Sequence, residues 1–201
     1  MSKAATTAPQ YLPVRSQLPK HRPALVRPDS YLDRRSASGN LEPHRGRGTA
    51  SLASPPMAVT ASGVFRRTAI ERSDQRVSWE RTDQAFFSSG ACHVLAWACR
   101  DFYPDKGIAL AAVYLGDYEH PLHTYARWGT WAFDASGWNL ESELLQVNSD
   151  FEGLPVRQVE TVRSDLREFC EEHVHRQPHQ YWADPAERAR AYVGRYDPPW
   201  L

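Results

Sequence analysis

The sequence predicts an α+β domain in which a helix that begins with a cysteine packs on a small antiparallel sheet. C-terminal helices follow this core, and a disordered N-terminal arm precedes it. Three observations support this class: helical spacing of apolar residues after Cys92, alternating segments on both sides of Gly129, and amphipathic segments near the C-terminus. The order of helix, strands and helices is typical of α+β proteins.

Residues 1–63 differ in composition from the rest of the chain. They carry nine Lys/Arg against three Asp/Glu, a net charge of +6, whereas the whole chain sums to zero. Prolines, serines and arginines interrupt every apolar pair, so this segment cannot bury enough surface to offset its ordering entropy. We therefore expect a disordered arm over 1–63 and an acidic domain over 64–201.

Two other interpretations of the arm stay open. Its abundance of Arg and Ser and its few acidic residues are also typical of an export or targeting segment. In addition, Met1 and Met57 are the two methionines of the chain, and Met57 falls near the end of the arm. Met57 is therefore an alternative start of the protein.

Composition argues against several classes of partner. Three cysteines, an odd number, do not form a disulfide framework, which favours a reduced, cytoplasmic protein. No apolar run approaches the roughly 18–20 residues that span a bilayer, so we expect a soluble chain without a membrane partner. The domain carries a net charge of −6, which argues against nucleic acid because phosphate contacts need Lys and Arg.

The central elements follow from periodicity and from chain-breaking residues. Gly90 predicts a turn, and the apolar spacing after Cys92 predicts a helix that ends at Pro104. The apolar segment between Gly107 and Gly116 predicts a strand, and alternating residues around Gly129 predict a hairpin that pairs residue 126 with residue 133.

The flanking elements are predicted from weaker signals. We expect a short strand and a loop over 63–87. A short helix is expected over 139–148, with Asn139 as its cap and Leu140, Leu144 and Val147 inward, and a strand over 155–160. A helix over 164–176 should face Leu166, Phe169, Cys170 and Val174 inward, and a last helix should be capped by Asp184 with Pro185 at its first position.

Cys92 is the candidate nucleophile. A helix N-terminus lowers the pKa of a thiol because its unsatisfied N–H groups favour the anion. The preceding residues are small, and Ser89 and Gly90 would let a substrate carbonyl approach backbone amides that act as oxyanion donors. Taken alone, Cys92 is also consistent with a small buried core residue.

His123 and Asp134 are the candidate base and orienting group. On the predicted strand His123 shares a face with Tyr125, and the hairpin brings Asp134 close to His123 at one end of neighbouring strands. A carboxylate there holds an imidazole in one tautomer, as in a catalytic triad. Taken singly, His123 is also consistent with a satisfied strand histidine and Asp134 with a turn residue.

The segments SGACHVLAWAC and HTYARWGTWAFDASGW resemble the papain-like and transglutaminase-like cysteine enzymes over residues 86–138. That resemblance implies Cys92 as nucleophile, His123 as base and Asp134 as third member. The longer papain signature around the cysteine is absent, and His93 stands where a bulky aromatic residue usually follows.

The other cysteines, histidines and tryptophans are candidates for the core, for a cleft or for a metal site. We interpret Cys99 and Cys170 as core residues and the histidines 173, 175 and 179 as solvated. Trp131 and Trp138 are candidates to line a substrate cleft. Cys92, His93, His120 and His123 supply zinc-type ligands, but their directions on a helix and a strand diverge, so we expect no metal and no cofactor.

Two functions from different classes follow. The first is a thiol-dependent hydrolase or acyltransferase that acts on an amide or thioester, as a peptidase, a deamidase or a transglutaminase-like enzyme. A protein or peptide substrate is favoured over a small molecule. The second is a catalytically inactive α+β interaction module of the same or an unrelated fold. The geometry of Cys92 and His123 distinguishes the two.

Overall fold

A computed structural model describes residues 58–201. The predicted arm up to residue 57 and the alternative start at Met57 lie outside the described residues. The predicted α+β class is confirmed, because helices pack on a five-stranded antiparallel sheet of order β4-β3-β2-β1-β5. The strands are β1 (Ala109–Leu115), β2 (His123–Trp128), β3 (Trp131–Asp134), β4 (Gly137–Leu140) and β5 (Val156–Val162).

The described residues form seven α-helices and three single 3-10 turns. The helices are α1 (Ala69–Ser73), α2 (Gln75–Trp79), α3 (Asp83–Ser88), α4 (Cys92–Phe102), α5 (Glu141–Glu152), α6 (Leu166–Glu172) and α7 (Ala186–Val193), and the 3-10 turns are Ser62–Phe65, Pro104–Lys106 and Pro178–Gln180. None of these helices is long and apolar enough to cross a membrane.

The two faces of the sheet bury different clusters. Ala126 and Phe133 contribute to the larger cluster, which also includes Leu95 of α4 and Val193 of α7. Tyr125 lies in the smaller cluster on the opposite face. The alternation follows from the two-residue period of a strand, which sends neighbouring side chains to opposite faces.

The predicted hairpin is confirmed in its register. Ala126 pairs with Phe133, and Trp128 pairs with Trp131 across the turn at Gly129-Thr130. The helix after Cys92 and the strand after Gly107 are also confirmed.

The prediction of a strand and a loop before Ser89 was wrong. That segment forms three short helices, each started by a polar cap: Thr68 accepts from the backbone N–H of Glu71, Asp74 caps α2, and Thr82 caps α3. Thr68 and Glu71 form a complete capping box, a local signal that outweighs the absence of a clear apolar period.

Three details near the later helices also differ from prediction. Asn139 lies in β4, and Leu140 is the N-cap of α5, where its side chain is exposed. Val174 does not face inward but is 80% exposed, because α6 ends before it and its φ is 55°. Pro185 is the N-cap of α7, although Asp184 still accepts a hydrogen bond from the N–H of Ala186.

The ordered packing begins before the predicted boundary at residue 64. The N–H of Thr60 donates to Ser136 Oγ at 3.1 Å. The buried Ser62 donates from its N–H and its hydroxyl to Asn148 Oδ1, at 3.0 and 2.8 Å. These bonds join the first described residues to the β3–β4 turn and to α5.

We predict that Gly137→Ala lowers the free energy of unfolding more than Gly129→Ala does. Both glycines have positive φ, 84° and 57°, but a Cβ at Gly137 would lie 2.5 Å from the Tyr196 ring, whereas a Cβ at Gly129 meets nothing within 4 Å. Left-handed strain is common to both variants, so the difference isolates the steric clash. Urea unfolding should show a gap of at least about 1 kcal/mol, in line with overpacked sites. Equal losses would contradict the packing of Tyr196 on this turn.

Candidate active site

Cys92 is the first residue of α4. Gly90, two residues earlier, has φ 113°, a conformation that allows the sharp turn from α3 into α4. Ala91 is the N-cap and offers no side-chain hydrogen bond to the first turn. The amide groups of that turn therefore have no capping side chain, which favours a negative charge at the N-terminus of α4, where Cys92 lies.

His123 and Asp134 form a buried hydrogen-bonded pair. His123 Nε2 donates to Asp134 Oδ2 at 3.0 Å, and the two residues are 2% and 3% exposed. The second carboxylate oxygen, Oδ1, accepts from the N–H of Ser136 at 2.7 Å. The carboxylate is thus held at both oxygens, and it fixes the orientation of the imidazole.

The thiol of Cys92 lies beside two imidazoles. Nδ1 of His123 is buried and makes no hydrogen bond, so it is the ring nitrogen available to Cys92. Burial raises the pKa of Cys92, but interactions with His123 and His93 outweigh burial and bring this pKa well below its ordinary value.

The pKa of the His123 imidazole shifts in the opposite direction. Burial lowers its pKa, but the hydrogen bond to Asp134 and the neighbouring Cys92 thiol together outweigh burial, so the pKa of His123 is raised. A lowered thiol pKa and a raised imidazole pKa together favour a thiolate–imidazolium pair at neutral pH.

Cys99 shows what the same helix does to a thiol without such neighbours. It is fully buried in the larger apolar cluster, as predicted, and burial raises its pKa. Seven residues thus separate a thiol that favours the anion from one that resists ionisation.

Cys170 is buried as predicted but has polar neighbours, which the prediction missed. Its Sγ donates to the backbone oxygen of Arg176 at 3.4 Å, and His93 Nε2 donates to the same oxygen at 2.9 Å. Burial lowers the pKa of His93, but the neighbouring Cys170 and Cys92 thiols outweigh burial and raise it. His93 therefore interacts with both thiols, a role different from the zinc-type ligand considered from the sequence.

The C-terminal part of the chain completes the site. His175 packs against His93 with ring centroids 4.8 Å apart, so it is partly buried, as is His173; only His179 of this group is exposed. The prediction of three solvated histidines was wrong for the first two. Tyr181 donates from its hydroxyl to the backbone oxygen of Gly90 at 2.5 Å and holds the turn before Cys92.

A cavity of about 370 Å³ opens at Cys92. Ser89 and Gly90 line it. Trp131 and Trp138 do not line this cavity: Trp131 pairs with Trp128 at the hairpin turn, and Trp138 packs on Phe133. A place for the two tryptophans in a substrate cleft stays a prediction.

The alternative of a metal site at Cys92, His93, His120 and His123 has no matching arrangement of ligands in the part of the chain that the structure describes. Across residues 58–201, no three His, Cys, Asp or Glu side chains converge as a metal site requires. His120 precedes β2 and packs near His173, with ring centroids 6.2 Å apart, rather than beside Cys92.

Comparison of the chain with protein-family models, with curated proteins and with solved structures finds no match to any of them.

We predict that iodoacetamide modifies Cys92 while Cys99 and Cys170 stay unmodified in the folded protein. Only the thiolate reacts, and Cys92 alone combines a lowered pKa with a place on the cavity. Peptide mass spectrometry after brief labelling measures the three sites separately. Labelling of Cys92 only after denaturation would show that it is an ordinary core cysteine.

The pH dependence of this labelling follows from the direction of the pKa shift. A pKa lowered well below that of a free thiol keeps the thiolate populated at neutral pH, and the thiolate is lost as pH falls through that pKa. We therefore expect a rate that is nearly constant above neutrality and decreases only in acid. A free thiol, with a pKa of about 8.5, instead gains rate steeply between about pH 7 and 9. The second profile at Cys92 would contradict the ion pair.

Proposed function

We propose that this protein is a thiol-dependent hydrolase or acyltransferase in which Cys92 is the nucleophile, His123 the acid and base, and Asp134 the residue that orients His123. The observation that carries the proposal is the buried His123–Asp134 hydrogen bond beside a thiol of lowered pKa at the mouth of a cavity. A core cysteine needs none of these three features.

The first half of the reaction forms an acyl-enzyme. The Cys92 thiolate attacks the carbonyl carbon of an amide or thioester, and the carbonyl π electrons move to its oxygen. As the tetrahedral intermediate collapses, the bond to the leaving group breaks, and the His123 imidazolium gives its Nδ1 proton to the departing nitrogen or sulfur. A thioester to Cys92 and a neutral imidazole remain.

The second half regenerates the thiolate. Neutral His123 takes a proton from water or from an amine as that nucleophile attacks the thioester carbonyl. The C–S bond then breaks, and the thiolate leaves with the imidazolium restored beside it. Water completes a hydrolysis or a deamidation, whereas an amine completes a transamidation, so the acceptor determines the outcome.

Backbone amides supply the electrostatic part of the mechanism. Cys92 is the first residue of α4, and the first N–H groups of this helix lack a side-chain cap from Ala91. They are suited to donate to the oxyanion, a contribution worth roughly 3–4 kcal/mol per donor in known oxyanion holes. Ser89 and Gly90 leave room for the carbonyl to approach, and Tyr181 fixes the position of that turn.

A peptide or protein substrate fits this site better than a small isolated molecule. The cavity is lined by Ser88, Ser89 and Gly90 before α4 and by Val174, His175 and Arg176 after α6, and we expect an extended chain to bind between these two segments. We therefore propose an amide or thioester carried by a peptide or protein.

We predict that an activated ester such as p-nitrophenyl acetate acylates Cys92 and that His123→Ala slows turnover of the acyl-enzyme by roughly 100-fold or more, the usual worth of a general acid–base. The ester needs no leaving-group proton, so the loss should be greatest in deacylation. Stopped-flow release of p-nitrophenol, with intact-mass detection of the acyl group, measures both steps.

Asp134→Asn should reduce the same rate while the fold persists, because an amide keeps the shape but not the charge that orients the imidazolium. Cys99→Ala is the matched control, since it removes a thiol of the same helix that the mechanism does not use. Full acylation of Cys92→Ala, or wild-type turnover in both His123→Ala and Asp134→Asn, would leave the interaction-module hypothesis in place.

A further inference from the structure

The cavity at Cys92 carries an excess of positive charge that the reaction itself does not require. Arg66, Arg67 and Arg176 line it, together with one carboxylate, Glu152. Arg66 and Glu152 form an ion pair with each other, so their charges cancel. Arg67 and Arg176 remain, and neither has an acidic partner within 4 Å among residues 58–201.

Arg67 is held against the turn that precedes the nucleophile. A Cβ placed on Gly90 would lie 3.2 Å from Arg67 Cζ, so the guanidinium covers the open side of that glycine. The side chain is partly buried. It is therefore a fixed feature of the cavity wall rather than a freely solvated surface arginine.

Arg176 is fixed by neutral groups. Its Nη1 donates to Gln75 Oε1 at 2.9 Å, and its guanidinium lies over the ring of Tyr181, 5.9 Å from the centroid. Its backbone oxygen receives the hydrogen bonds from His93 and Cys170. The side chain and the backbone of Arg176 are thus both held by hydrogen bonds, and its positive charge stays uncompensated.

The two guanidinium groups are close enough to affect each other. Burial lowers the pKa of Arg67, and the charge of Arg176 lowers it further. Two like charges held together without a carboxylate cost stability, and an anion that binds both removes that cost. Guanidinium groups also present planar forks that match a carboxylate in bidentate geometry.

The contrast with the rest of the domain strengthens the argument. Residues 64–201 carry a net charge of −6. A positive cavity on an acidic body is a local arrangement and does not follow from general composition. Such a cleft concentrates an anion locally even where the average surface repels it.

We propose that the cavity selects a substrate with a carboxylate next to the reacting carbonyl, as in a peptide with an acidic residue beside the scissile amide, and that Arg67 and Arg176 bind that carboxylate. This inference rests on the proposed function, because it places the carboxylate beside the carbonyl that Cys92 attacks. Arg67 and Arg176 act here as specificity-determining residues, while Cys92 and His123 carry the chemistry.

The test compares two alkylating reagents of nearly equal size, iodoacetate and iodoacetamide. Each forms a bond between Cys92 Sγ and carbon and releases iodide, but only iodoacetate carries a carboxylate. The measured quantity is the rate with iodoacetate divided by the rate with iodoacetamide, normalised to the same ratio for N-acetylcysteine. We expect a normalised ratio above one in the wild-type protein.

Arg67→Gln and Arg176→Gln should each lower this ratio between about threefold and tenfold, as expected when one cation is removed a few ångströms from a partly screened anion. The His123 imidazolium stays in both variants, so the decrease reports the arginines. Arg100→Gln is the matched control: Arg100 lies in the last turn of α4, remote from the thiol, and pairs with Asp101, so the ratio should not change.

A second measurement needs no variant. Glutarate should slow the labelling of wild-type Cys92 by iodoacetamide, whereas glutaramide, its neutral analogue, should not. Equal ratios in all four proteins together with no protection by glutarate would overturn the anion site and leave the proposed function standing. Failure of Cys92 to react with either reagent would instead overturn the proposed function as well, so the two failures are distinguishable.

Discussion

The buried hydrogen bond between His123 and Asp134 is the interaction on which the rest of the site depends. It requires the exact hairpin register that pairs Ala126 with Phe133, because a shift by one residue would send one of the two side chains to the other face. Ser136 holds the second carboxylate oxygen, so the turn after β3 orients the pair. Ser136 in turn receives a hydrogen bond from Thr60, which ties the first described residues to the same turn.

Burying ionised groups is costly, and the fold compensates for it by placing opposite charges together. In the proposed ion pair, one His123 imidazolium would serve two anions, the Asp134 carboxylate at Nε2 and the Cys92 thiolate. The helix terminus stabilises the thiolate further. Removal of one partner from such a set leaves an uncompensated charge, which is why the three residues are better regarded as a unit than as separate contributions.

The sequence carried enough information to predict the centre of this site and not its periphery. Cys92, His123 and Asp134 follow from short-range rules: a glycine before a helix, a strand alternation and a hairpin turn. His123 and Asp134 are only 11 residues apart, so a single hairpin turn places them relative to each other. Arg67 and Arg176 come from distant segments whose approach depends on tertiary packing. The short helices before Ser89 were missed because their caps, rather than any apolar period, define them.

The central claim is that His123 and Asp134 keep Cys92 as a thiolate in the folded protein. The difference in ultraviolet thiolate absorbance between wild type and Cys92→Ser, followed against pH, measures this state directly and without a substrate. Thiolate absorbance that persists through neutral pH and disappears only in acid, with a shift toward the ordinary value of about 8.5 in His123→Ala, is the result that the ion pair predicts. A wild-type midpoint at or above that ordinary value would contradict it.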